Sequence, residues 1–143
     1  MTRIMGVDFG TRRIGISLSD PLQIIAQPFV TLQNNAEAIE RLCALIIEKS
    51  VALVVIGMPL NLKGEKAQKA REVEAFIESL GPRTKAEIVP WDERFTTTMA
   101  HNTMLEMGTR RGERRADKGR IDAMAAAILL QSFLDSRKRS MSC

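Results

Sequence analysis

Hydrophobic and polar positions follow two different periods along this chain, and the switches between them mark its elements. Residues 3–9 (RIMGVDF) read as a buried strand and residues 10–13 as a turn. Ile14, Ile16 and Leu18 then alternate with Gly15, Ser17 and Ser19, the period-two pattern of a half-buried strand. The pair predicts a hairpin ended by Asp20-Pro21, with a third short strand around 27–32. The spacing then turns helical. Ile39, Leu42, Cys43 and Ile46 form the apolar stripe of a helix over about 35–49. Asn34 or Asn35 is its expected cap, with Glu37 as capping-box partner. Residues 52–56 (ALVVI) are continuously apolar, as in a central parallel strand. A loop over 57–64 leads to a helix over 65–80 that buries Ala70, Val73, Phe76, Ile77 and Leu80 and stops at Gly81-Pro82. Residues 86–91 form the next strand, ending at Asp92-Glu93-Arg94. Thr96 or Thr97 caps a helix to about 107, a basic loop follows, and a last helix runs from about 118 to 135.

The order βββαβαβαα places antiparallel strands first and parallel ones after them, an α/β arrangement. It matches the ribonuclease H-like fold, a five-stranded mixed sheet flanked by helices, with the first strand central and the fourth beside it. A chain of 143 residues fits one such domain, over 1–136, with a polar, fraying tail at 137–143. No apolar run is long enough to span a bilayer. The N-terminus leads into a strand pattern rather than a signal peptide, so a cytoplasmic location without membrane contact is expected.

Charge changes the picture more than composition does. The net charge is +4. Residues 109–120 carry Arg110, Arg111, Arg114, Arg115, Lys118 and Arg120 against Glu113 and Asp117, which accounts for the whole excess. Gly108, Gly112 and Gly119 lie in or beside the same stretch, which reads either as a solvated charge run or as a loop for a polyanion. Aromatic residues make up 4% with no tyrosine, so phosphate contacts rather than base stacking are expected to carry nucleic-acid binding. The two cysteines have no zinc spacing, and the single histidine, His101, has no partner in the pattern. Zinc hydrolysis and Ser-His chemistry are both disfavoured.

The candidate chemistry is carboxylate chemistry. Asp8 closes one apolar strand, Glu93 follows another, and Asp122 opens the apolar run of the last helix. Buried acids are costly unless paired or bound to a metal. Taken singly, each is a weak signal: an Asp at a strand end reads as a cap or turn residue, and Asp122 near a helix start as a partner of the helix dipole. Together, in this topology, they predict an all-oxygen site for Mg²⁺ or Mn²⁺, with two ions cooperating on a phosphodiester. Asp92 adjoins Glu93, and neighbouring strand residues face opposite ways; Glu93 is the chosen ligand, with Asp92 in reserve. Gly10 allows a tight turn, while Thr11, Arg12 and Arg13 offer phosphate contacts. Asn61 in the loop after the fourth strand, Arg94 after Glu93, and Lys118 four residues before Asp122 are further candidates for substrate contact, as are Arg110, Arg111, Arg114 and Arg115.

Four motifs carry a resemblance: GVDFGTRRIGISLSD (6–20), VIGMPLNLKGE (55–65), VPWDERFTT (89–97) and IDAMAAAILLQSFL (121–134). In this order they resemble the YqgF family, Holliday-junction-resolvase-like proteins also described as pre-16S rRNA nucleases. The resemblance implies a ribonuclease H-like nuclease acting in 5′-end maturation of pre-16S rRNA, with the family's acidic positions falling on Asp8, Glu93 and Asp122. It also implies pre-rRNA or structured DNA as partner, and the ribosome as the setting. The related resolvases carry four carboxylates; here the loop after the fourth strand offers Asn61 instead of an acid. Three alternatives stand beside this reading. They are a resolvase for DNA recombination, a non-catalytic nucleic-acid-binding module, and an actin-like ATPase relative, for which one domain is too small. The sequence does not distinguish a monomer from a homodimer.

Overall fold

The computed structural model describes residues 2–59, 65–93 and 118–141. Five strands, β1 (Arg3–Phe9), β2 (Arg13–Ser19), β3 (Ala26–Gln33), β4 (Val51–Met58) and β5 (Glu87–Asp92), form one sheet in the order β3-β2-β1-β4-β5. β1 pairs antiparallel with β2 and parallel with β4, β2 pairs antiparallel with β3, and β4 pairs parallel with β5. The first strand is central and the fourth lies beside it, as the element order predicts. Helices α1 (Ala38–Glu48) and α2 (Glu65–Leu80) and a 3₁₀ turn (Gly81–Arg83) intervene, and α3 (Lys118–Met141) closes the chain. No helix among the described residues is long and apolar enough to cross a membrane.

Strand alternation sends successive side chains to opposite faces, and each face has its own core. On one face Met5, Val7, Phe9, Ile14, Ile16, Leu18, Val54 and Ile56 pack against Leu42 and Ile46 of α1 and Val73, Phe76 and Leu80 of α2. Phe9 and Phe76 meet at 5.0 Å between ring centroids. On the other face Ile4 and Val55 pack against Ala127, Leu130, Phe133 and Leu134 of α3, with Trp91 edge-on to Phe133 at 5.1 Å. Each fully buried large aliphatic such as Leu130 contributes about 1.5–3 kcal/mol.

Three expectations are corrected by this packing. β2 is not half-buried: Ser17 and Ser19 are 0% and 1% exposed, because α3 lies across the face they occupy. Their hydroxyls are satisfied inside the protein. Ser17 Oγ donates to the Ala126 carbonyl at 2.8 Å, and Ser19 Oγ accepts the Ile4 N–H at 2.9 Å. α1 starts at Ala38 without a side-chain cap. The Asn35 carboxamide oxygen instead accepts the Glu37 N–H at 3.0 Å, an Asx turn leading into the helix. Asn34 is drawn away to the Gly10 carbonyl, and Glu37 pairs with Arg41 at 3.1 Å. The capping box is therefore not made. Finally, α3 continues through the expected frayed tail to Met141. Residues 135–141 contain no Gly or Pro, and the Arg137 guanidinium lies 5.7 Å from the Phe133 ring centroid, extending the packed stripe by one turn. The helix expected over 96–107 and the basic loop lie outside the described residues.

Candidate active site at the C-terminal edge of the sheet

β1, β4 and β5 run parallel, so their C-terminal ends share one edge of the sheet. Asp8 is the penultimate residue of β1 and has the same parity as Ile4 and Gly6, which face α3. Its register partner on β2 is Gly15. That glycine is required by packing: a Cβ there would overlap the backbone carbonyl of Asp122 and lie 3.0 Å from the Ala123 nitrogen. The bare backbone of β2 thus admits the backbone of α3 and puts Asp122 beside Asp8. Gly6 does the same one turn along the helix, where a Cβ would stand 2.8 Å from the Ala126 carbonyl and from Leu130 Cβ.

Glu93 follows β5 directly and reaches back over β4. Its Oε1 would be 3.1 Å from a Cβ on Gly57, which also faces Leu129 of α3. Glu93 therefore stands on the same face as Asp8 and Asp122. Asp92 shares the parity of Ile88, which packs on the opposite core. This answers which of the adjacent acids faces the cluster.

The electrostatics record the convergence. The Asp8 carboxyl is pushed up from 3.8 to about 6, first by burial. The Lys69 ammonium opposes that shift, and the negative charges of Glu93 and Asp122 add to it. Asp8 holds its proton more tightly chiefly because it is buried, with smaller contributions from the acids at the end of β5 and on α3.

The other predicted residues divide clearly. Arg13, expected at phosphate, instead donates its Nε–H to Asp122 Oδ2 at 2.7 Å, with the two side chains 29% and 26% exposed. Gly10 makes the tight turn expected of it: a Cβ would fall 2.5 Å from the Arg13 carbonyl oxygen. Asn34 braces that turn from both ends, its Nδ2 donating to the Gly10 carbonyl at 2.8 Å and its backbone N–H to the Arg12 carbonyl at 2.9 Å. Thr11 and Arg12 are exposed at its tip. Asn61, Arg94, Arg110, Arg111, Arg114 and Arg115 lie outside the described residues, and of Lys118 only its place at the start of α3 is described. Lys69 and Asn34 were not singled out from sequence. Lys69 sits in a helical pattern indistinguishable from a solvated face, and Asn34 looks like a cap.

The donor set is chemically right for a hard divalent cation: it consists of carboxylate oxygens. In position it is incomplete. Among the described residues no three His, Cys, Asp or Glu side chains stand close enough to hold one ion. The Asp122 carboxylate is engaged by Arg13 instead.

A family model described as RuvX, Holliday junction resolvase, matches residues 2–136. The chain belongs to this RuvX family. Its relatives include two proteins named "Putative pre-16S rRNA nuclease". That of Ruminiclostridium cellulolyticum is 38% identical over 93% of this chain and 94% of its own length. That of a Roseiflexus species is 38% identical over 95% and 96%. Among solved structures, T. thermophilus RuvC in complex with Holliday junction substrate superposes with a TM-score of 0.66, covering 96% of both chains at 12% identity. The Fowlpox virus resolvase in complex with substrate Holliday junction DNA gives 0.58 at 10% identity, over 95% of this chain and 99% of that one. With the sheet order, these likenesses establish the ribonuclease H-like fold.

Proposed function

We propose that this RuvX-family chain is a metal-dependent nuclease that hydrolyses phosphodiester bonds of pre-16S rRNA near its 5′ end, in the cytoplasm. The observation that supports the reading is the position of Asp8, Glu93 and Asp122 at one sheet edge, where burial first and the two neighbouring acids after it push the Asp8 carboxyl up to about 6. The names of the relatives supply the substrate, and the acids supply a reason why phosphodiester chemistry fits. Asp8 and Glu93 would hold Mg²⁺ or Mn²⁺, with Asp122 completing the set. When bound, two such ions supply an activated water and charge stabilisation for the leaving oxygen.

The chain's own residues do the rest. Gly10, held by Asn34, keeps the turn beside Asp8 tight enough for a backbone phosphate to approach. Thr11 and Arg12 at its exposed tip offer a hydroxyl and a charge-assisted contact to that phosphate. Lys69 adds positive potential from α2 beside the carboxylates. The basic stretch 109–120 supplies salt-sensitive attraction to a polyanion.

The family description favours a second reading, cleavage of four-way DNA junctions. One assay separates the two: cleavage of a single-stranded RNA bearing the 16S leader and of a four-way junction, by wild type, Asp8→Asn and Glu93→Gln, with Mg²⁺, Mn²⁺ or a chelator. The RNA should be the better substrate. Each substitution should cost on the order of 10²–10³ in rate, as expected when stabilisation of the developing charge is lost. Equal activity in all three proteins would refute the catalytic assignment, and junction cleavage alone would transfer it to the second reading.

A further inference from the structure

The position of Arg13 does not match a simple role at phosphate. It opens β2 immediately after the Gly10–Arg12 turn, and its Nε–H is committed to Asp122 Oδ2 at 2.7 Å across 109 residues of sequence. Asp122 is thereby turned towards a cation that the chain itself supplies. The Asp122 backbone has little freedom to change this. It is seated on Gly15, and one turn further the helix is tied to β2 by the Ser17–Ala126 hydrogen bond. The exchange of partners therefore falls to the two side chains, that of Asp122 and that of Arg13. The Arg13 side chain is 29% exposed, and its guanidinium carries four further N–H donors on a planar fork suited to a phosphate. In sequence Arg13 follows directly on the exposed Thr11 and Arg12.

We propose that Arg13 is a switch residue: it keeps the Asp122 carboxylate engaged in an ion pair until a substrate phosphate draws its guanidinium off, so that the three-acid set is completed only on loaded substrate. The inference rests on the reading of these acids as a divalent-ion site. Nucleic acid and cation then favour each other's binding beyond direct contact between them, and by linkage the effect is reciprocal. The device would limit idle ion loading and confine a complete, reactive centre to the nucleic-acid complex.

Mn²⁺ binding, followed by electron paramagnetic resonance of the free ion, tests this without reference to turnover. Arg13→Gln should bind Mn²⁺ about fivefold more tightly than wild type when no nucleic acid is present, the size expected for releasing a partly exposed ion pair. The gain should largely vanish in an Asp122→Asn background, since the cycle isolates the Arg13–Asp122 term from general charge removal. A phosphorothioate oligonucleotide should tighten Mn²⁺ binding by a larger factor in wild type than in Arg13→Gln. Arg13→Lys, which keeps the charge but lacks the Nε donor, should fall between the two and guards against a folding defect in the glutamine variant. Unchanged or weaker Mn²⁺ binding by both variants would overturn the switch and make Arg13 a residue that merely orients Asp122. Mn²⁺ binding that is absent, or insensitive to Asp8→Asn, would instead remove the ion-site reading itself and the switch with it.

Discussion

Replacing Asp8 by asparagine should stabilise the protein at neutral and alkaline pH even as it removes activity. The carboxyl lies at the end of the central strand, partly withdrawn from water, with Glu93 and Asp122 within electrostatic reach and, among the described residues, Lys69 to offset them. Its folded value is raised from 3.8 to about 6. A raised value means that the fold prefers the protonated form. The stability that this proton contributes is therefore fully present below about 3.8 and is lost as the pH rises through about 6. Above that, the ionised carboxylate costs the fold about 3 kcal/mol relative to its protonated form. Asparagine keeps the shape and is neutral throughout, so it should escape the cost. In urea denaturation with a chelator present, wild type and Asp8→Asn should be nearly equal at acid pH. The gap should open in favour of the variant and reach about 2–3 kcal/mol above neutrality. In thermal melts that is about 2–4 °C per kcal/mol for a domain of this size. Adding Mn²⁺ should narrow the gap, because an ion that binds only the native wild type stabilises it by mass action. A variant less stable than wild type at high pH, or a gap that does not change with pH, would refute the claim that burial and the neighbouring acids disfavour the ionised Asp8.

Two further changes test how α3 is seated. Gly15→Ala places a methyl group against the Asp122 carbonyl, backbone on backbone, and should cost about 1–3 kcal/mol in urea denaturation. If the helix shifts by about 1 Å to relieve the clash, cleavage should fall about 10²-fold; wild-type stability and rate together would show that Asp122 is not held by this contact. Gln131→Leu removes the acceptor of the buried Ala26 N–H (2.8 Å) and the donor to the Ile24 carbonyl (3.1 Å), and should cost about 1–3 kcal/mol. Faster amide hydrogen exchange at Ala26 is the accompanying signature, and unchanged exchange there would count against the bond.

Much of this was legible in the sequence because it depends on local periodicity. Residues 3–9 and 52–56 are strands for the same reason that they are buried, and an acid at the end of such a run is conspicuous. Asp8 and Asp122 stood out on that ground, and Glu93 did so beside Asp92. What was not legible depends on tertiary partners. Gly15, Ser17 and Ser19 read as a wet face, since small and polar residues occupy solvent faces more often than helix seats. Only the packed helix reveals that their smallness is what admits its backbone. Asn34 competes between capping α1 and bracing the Gly10 turn, and local pattern cannot rank the two. The Arg13–Asp122 pair joins residues at opposite ends of the chain, with nothing in either neighbourhood to announce the other. Lys69 is one of two lysines on α2, distinguished from Lys66 in no way that the sequence shows.

The seating of α3 explains why a functional acid can sit on a helix and still be placed accurately. Two residues along a strand advance about 6.6 Å, and four along a helix about 6 Å. The steps nearly match, and the contacts follow them. Gly15 meets Asp122, Ser17 meets Ala126, and Gly6 meets both Ala126 and Leu130. Beyond the end of β2, Gln131 fastens the helix to Ile24 and Ala26. Strand and helix are thus in register over the whole interval from the carboxylate to the anchor. A slip of one helical turn would move Asp122 by about 5.4 Å. It would also break the Ser17–Ala126 hydrogen bond and those of Gln131 to Ile24 and Ala26. The apolar burial of Leu130, Phe133 and Leu134 supplies attraction without direction. The glycines and the serine turn that attraction into a single register. Glu93 depends on the same device, since Gly57 leaves it the space to reach the cluster. Small residues on one face of the sheet therefore determine where two of the three acids stand. The cost of crowding those acids is borne by the hydrophobic contacts further along α3.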